Sequence, residues 1–145
     1  MPIQDPDVTF LHPPAIYDFR DRPEFLGPIS DVIPSTPVFE MYPIGLTSIA
    51  DYLEQHGNNV QIVNLAYLML RDEEFDPADE IAGCPAWLFA IDLHWLPHAQ
   101  GAIEIARLVK RHHPDVPVVL GGRSSGYYHE ELITYDCIDY VIRGD

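Results

Sequence analysis

Lysine is almost missing from this 145-residue chain: Lys110 is the only one, and Lys and Arg total 8 against 23 Asp and Glu, a net charge of −15. A surface this negative repels phosphate backbones and anionic headgroups, which argues against nucleic acid and membranes as partners. It also suits a salt-rich cytoplasm. Long apolar runs are absent, since charges, prolines or glycines interrupt each one well short of membrane-spanning length. The opening Met1-Pro2-Ile3-Gln4-Asp5-Pro6-Asp7 lacks the basic region and apolar core of a signal peptide. Only two cysteines occur, Cys84 and Cys137, too few for a disulfide framework and too far apart for Cys-x-x-Cys. The expected setting is therefore the reducing cytoplasm, with both thiols packed in a core. Neither the lysine-bearing phosphate loop nor the Gly-x-Gly-x-x-Gly dinucleotide fingerprint is present.

What is present is enough apolar material for a core: 47% hydrophobic and 11% aromatic residues, in a length that fits one domain. Apolar runs at Val8–Leu11, Val60–Leu65, Ala86–Ile91, Val116–Leu120 and Tyr140–Ile142 read as strands. Between them, Ile44, Leu46, Ile49, Ala50 and Leu53 recur at helical spacing, with Pro43 before and Gly57 after. Asp76 reads as the N-cap of a short helix with Pro77 in its first turn and Gly83 at its end. A longer helix is expected over Pro97–Arg111, with Ala99, Ala102, Ile103, Ala106 and Val109 as its apolar stripe, and a short one near His129–Ile133. His112 and His113 follow as surface groups suited to a helix end.

Alternation of apolar strands with helices predicts an α/β fold, a doubly wound, flavodoxin-like (Rossmann-like) sheet of five parallel strands. Right-handed crossovers make 2-1-3-4-5 the expected order. One long Pro-rich connection, about 14–42, is the exception and reads as a lid, binding loop or interface. No helix remains to follow the fifth strand and cover its face of the sheet, which suggests a fragment of a longer chain.

Ligands of such sheets sit beyond the carboxyl ends of the strands. Those ends carry His12-Pro13-Pro14, Asn64, Asp92-Leu93-His94-Trp95, Gly121-Gly122-Arg123-Ser124-Ser125-Gly126 and Arg143-Gly144-Asp145. The glycine pair permits close backbone approach, and Ser124 and Ser125 offer hydroxyl donors, although a plain strand-to-loop turn has the same appearance. His94 and His98 beside Asp92 invite a metal reading, but Pro97 between them breaks helical i, i+4 geometry, and no metal ligand is assigned. A phosphoacceptor receiver would need an acidic pair after the first strand and a lysine after the fifth. His12-Pro13 and Arg143-Gly144 stand there instead.

Pro13-Pro14 after the first strand, Met41-Tyr42-Pro43-Ile44-Gly45-Leu46 opening a helix that runs through Ala50-Asp51-Tyr52-Leu53, Pro117-Val118-Val119-Leu120-Gly121-Gly122, and Asp139-Tyr140-Val141-Ile142-Arg143-Gly144-Asp145 follow in a specific order. Together they resemble the N-terminal cobalamin-binding domain of radical S-adenosylmethionine enzymes. The resemblance implies that residues 1–145 hold a corrinoid and carry no catalytic residue. It implies a catalytic barrel after residue 145 with an iron–sulfur cluster on Cys-x-x-x-Cys-x-x-Cys and S-adenosylmethionine, often used for methyl transfer. Cys84 and Cys137 cannot supply that motif. The implied cofactor-binding set is His12, Pro13, Asp92, His94, Trp95, Gly121, Gly122, Ser124, Ser125 and Gly144, with the nucleotide tail beside the glycines and serines and the 14–42 loop shielding the lower cobalt face.

The cobalt-ligating Asp-x-His-x-x-Gly of methionine-synthase-type domains is not matched. Asp92-Leu93-His94 resembles its start but follows the third strand, with Pro97 in place of the glycine. Some resembling domains have lost cobalamin and serve as scaffolds, so a cobalamin-free docking domain is the alternative, followed by a stand-alone nucleotide or flavin binder.

Overall fold

A computed structural model describes residues 5–21 and 43–144. Five parallel strands form one sheet in the order β2-β1-β3-β4-β5. They are β1 Val8–His12, β2 Val60–Asn64, β3 Leu88–Asp92, β4 Val118–Gly121 and β5 Tyr140–Val141. The expected sheet and its order are what the chain adopts. The order reverses between β1 and β3, where connections leave toward opposite faces of the sheet.

Alternation along each strand sorts the two faces. Leu11, Val63, Phe89, Ile91, Val118 and Leu120 share one cluster with Ala102, Ile105, Ala106 and Val109 of α4 (Ala99–His112) and with Ile81 of α3 (Pro77–Gly83). Phe10 and Ala90 on the other face pack with Leu46 and Ala50 of α1 (Ile44–Gln55). The first cluster is much the larger. On the second face α1 shields only part of the sheet, and Tyr140 and Ile142 at the β5 edge are exposed.

Several boundaries moved, each for a local reason. Val60–Leu65 is not all strand: Asn64 caps an unforeseen helix, α2 (Leu65–Arg71), its Oδ1 accepting from Tyr67 N at 2.9 Å. The third strand starts at Leu88, where pairing with Val8 begins, and leaves Trp87 exposed. Pro97 opens no α-helix. It lies in a 3₁₀ turn, Leu96–His98, ahead of α4. The α4 stripe rotates accordingly, burying Gly101, Ile105 and Leu108 with Ala102, Ala106 and Val109, while Ala99 and Ile103 are half-buried. Gly121 remains inside β4, paired with Asp92, and a further short helix follows, α5 (Arg123–Tyr127), before α6 (His129–Leu132). His113 is not a free surface group, because its Nε2 bonds Ile81 O at 2.7 Å.

The chain beyond β1 is tied down before it leaves the described residues. Gln100 accepts from Tyr17 N at 2.8 Å and donates to Tyr17 O at 3.2 Å, while Gly101 N donates to Ala15 O at 3.2 Å. Gly101 has to be glycine, since a Cβ there would run into the Pro14 carbonyl. Ile16, Phe19 and Met69 form a small core of their own beneath this segment. The remainder of the expected 14–42 loop, residues 22–42, lies outside the described residues.

Candidate functional site

A cavity of about 1060 Å³ runs between α1 and the face of β1, β3 and β4, and reaches the carboxyl ends of these strands. The α1-facing side of the sheet supplies Val8, Phe10, Leu88, Ala90 and Val119, and α1 supplies Ile44, Leu46, Ile49 and Leu53. Ile44 and Ile49, expected against the core, are 67% and 48% exposed and line this space instead. The polar lining groups are His12, Asp92, His94, Trp95, His98 and Arg123, together with the backbones of Gly121, Gly122 and Gly144, all from the strand-end side. Extended apolar walls with a few convergent polar groups are the usual construction of a cofactor site.

Parallel pairing of β1 with β3 brings the end of one beside the end of the other. His12 Nδ1 donates to Asp92 Oδ2 at 3.2 Å, with their side chains 2% and 13% exposed. The His98 ring meets the His12 ring edge-to-face, centroids 5.5 Å apart. His12 and His98 are both buried. His94 is exposed, its ring standing edge-on to Trp95 at 5.1 Å. The two histidines of the metal reading therefore occupy different environments. Among the described residues no group of three or more His, Cys, Asp or Glu is placed to hold a metal.

The β4–α5 turn is built against the β3 loop. Gly122 has φ +109°, a left-handed value that favours glycine, and a Cβ on it would lie 2.8 Å from Leu93 C and His94 N. The space a side chain would fill at Gly122 is taken by neighbouring backbone, while Gly122 itself still lines the cavity. Gly121 lines the cavity, with only Ile142 Cδ1 at 3.7 Å from where its Cβ would stand. Leu93 N donates to Gly121 O at 2.7 Å, and Ser124 N donates to the Leu93 and His94 carbonyls. Ser124 Oγ donates to His94 O at 3.0 Å, and the fully buried Ser125 donates to Gly122 O at 2.7 Å.

Of the residues expected around a cofactor, His12, Asp92, His94, Trp95, Gly121, Gly122 and Gly144 come together on the cavity. Pro13 is buried and, like Ser124 and Ser125, stands outside its lining, the two serine hydroxyls holding the turn. Sequence reasoning passed over His98 as a lining residue, as well as Arg123 and the α1 isoleucines. Arg123 sat within the glycine–serine segment without being singled out, while nothing in sequence distance linked α1 to the strand ends.

Cys84 and Cys137 follow α3 and precede β5, at the amino-terminal ends of the strands, away from the cavity. Burial, and then nearby Glu80, pushes the Cys84 thiol up to about 11, and burial raises Cys137. Both behave as core thiols. No helix among the described residues is long and apolar enough to cross a membrane.

No curated protein matches the chain. A family model, the B12 binding domain, matches residues 31–145, a span that takes in α1, β2 to β5 and every cavity residue except those of β1. With that match over most of its length, and the 2-1-3-4-5 sheet expected of such a fold, the chain belongs to the B12 binding domain family.

Proposed function

We propose that residues 1–145 are the corrinoid-holding module of a radical S-adenosylmethionine enzyme. The observation that carries the corrinoid part is the cavity of about 1060 Å³, apolar on its α1 and sheet walls and polar at the strand ends, in a B12 binding domain. Its chemistry fits a large macrocycle fringed with amides. Phe10, Ile44, Ile49 and Val119 offer apolar contact, while Gly121, Gly122 and Gly144 bring main chain to the cavity. His94 and Trp95 present exposed polar and aromatic surface at the same end.

When bound, a corrinoid supplies a cobalt centre able to carry a methyl group. The chain's own part is to bind and orient it. His12 and Asp92 fix the ends of β1 and β3 relative to each other, and the α1 isoleucines give the ligand an apolar wall to cover. The radical S-adenosylmethionine parent, and methyl transfer as its reaction, are supported by the ordered motifs from Pro13-Pro14 to Asp139–Asp145. In this reading the iron–sulfur cluster and S-adenosylmethionine belong to a barrel beyond residue 145.

Hydroxocobalamin titrated into the protein should change its visible spectrum and co-elute with it on gel filtration at one equivalent. Failure to co-elute would favour the scaffold alternative, and FMN or nucleotide binding in its place would favour the flavodoxin-like one. Three clustered cysteines encoded after codon 145 would support the radical enzyme, and another kind of domain there would refute it.

A further inference from the structure

Among the described residues, the cavity is lined by one carboxylate and one permanently charged base. The carboxylate, Asp92, is engaged by His12, whereas the base, Arg123, is exposed. No ion pair among the described residues includes Arg123, although the chain has 23 Asp and Glu. The backbone beneath Arg123 is fixed on both sides, by Gly122 wedged against Leu93–His94 and by the Ser124 and Ser125 hydroxyl bonds. A second exposed base, Arg143, lies at the same edge, its Cα 4.0 Å from where a Gly126 Cβ would stand. A chain of net charge −15 repels anions over about one Debye length, ~10 Å at 0.1 M salt. An unpaired guanidinium on a fixed turn at the cavity provides a local exception, and its fork matches phosphate oxygens.

We infer that Arg123 recognises the anionic phosphodiester of the corrinoid's nucleotide tail, so that the site selects corrinoids carrying that phosphate over those truncated before it. The inference rests on the corrinoid reading above. Arg123 is a binding and specificity residue in it, not a catalytic one.

Three ligands in their dicyano forms, which equalises axial ligation, separate the contributions: cobinamide, which lacks the phosphate; cobinamide phosphate, which has it without the base; and cobalamin. Each is titrated against the wild-type chain, Arg123→Gln and Arg123→Lys by visible absorbance, at low and at 0.5 M potassium chloride. Arg123→Gln should weaken cobalamin and cobinamide phosphate about tenfold, the size of one lost charge-assisted hydrogen bond, and leave cobinamide unchanged. Arg123→Lys should recover part of the loss, and high salt should shrink the difference between wild type and Arg123→Gln. Equal losses for all three ligands, or none, would overturn the phosphate assignment while leaving corrinoid binding intact. A wild-type protein that binds none of them overturns the corrinoid reading and this assignment with it. Unchanged circular dichroism of the exposed-site variants establishes that any loss is local.

Discussion

His12 Nδ1 reaches Asp92 Oδ2 at 3.2 Å across the boundary between β1 and β3, joining residues 80 apart in sequence at the switch point of the sheet. Neither residue has a reason to meet the other until the two strands pair in parallel, with Leu11 opposite Ile91. The imidazole is buried, so the carboxylate acts first as a structural acceptor.

Removing that acceptor should therefore cost stability as well as alter the cavity. Asp92→Ala is expected to destabilise the fold by roughly 1–3 kcal/mol, and Asp92→Asn by less, since the amide oxygen can still accept. Urea denaturation of the two variants beside wild type measures it. A variant with Ala that unfolds at the wild-type midpoint would show the pair to be energetically idle.

Two glycines should prove intolerant for reasons unrelated to ligand. Gly101→Ala sets a methyl against the Pro14 carbonyl, and overpacking of this kind costs about 1–3 kcal/mol or more, despite alanine's better helix propensity. Gly122→Val adds a branched side chain at φ +109° against the Leu93–His94 backbone. Both should lower Tm without any ligand present. Gly83→Ala, at the end of α3 with nothing within 4 Å of its new methyl, is the control and should be neutral or mildly stabilising.

The chain's single lysine ties three elements together. Lys110 Nζ meets Asp139 Oδ2 at 2.7 Å and donates to Val116 O at 2.8 Å, and Asp139 also accepts from Val118 N at 2.7 Å. Burial alone would push the Asp139 carboxyl up, but Lys110 and the Val118 N–H together hold it below its ordinary value. A carboxyl lowered on folding contributes stability in full above its unfolded value, about 4, and loses it as pH falls through the folded value. Asp139→Asn should consequently melt lower than wild type at pH 7, and the gap should close by about pH 2–3. A gap that persists in acid would assign the loss to packing.

Both thiols should be slow to react. With Cys84 raised to about 11 by burial and then by Glu80, and Cys137 raised by burial, alkylation by iodoacetamide at pH 8 should proceed only on unfolding. Iron–sulfide reconstitution of this chain should yield no stoichiometric cluster and no 5′-deoxyadenosine. Either product, lost when both cysteines become serine, would make the domain an enzyme in its own right.

Apolar runs and periodicity determined the strands, α1 and α4, because apolar residues buried on a sheet or along a helix stripe must recur at fixed spacing, while α3 was legible from its Asp76 cap, Pro77 and Gly83. Handedness of crossovers then left little choice of strand order, and with it the edge where a ligand would sit. The short helices α2 and α5 were not legible, since each continues directly from a strand end without a separate start signal, and their starts depend on Asn64 and Gly122 as the fold sets them. Sequence named seven of the residues that line the cavity but could not say which serine was buried, or that α1 turns Ile44 and Ile49 toward the strand ends. Those outcomes belong to tertiary structure. A hydroxyl is free or spent according to which carbonyl lies across the turn, and the His12–Asp92 pair exists only because parallel pairing sets two distant strand ends side by side.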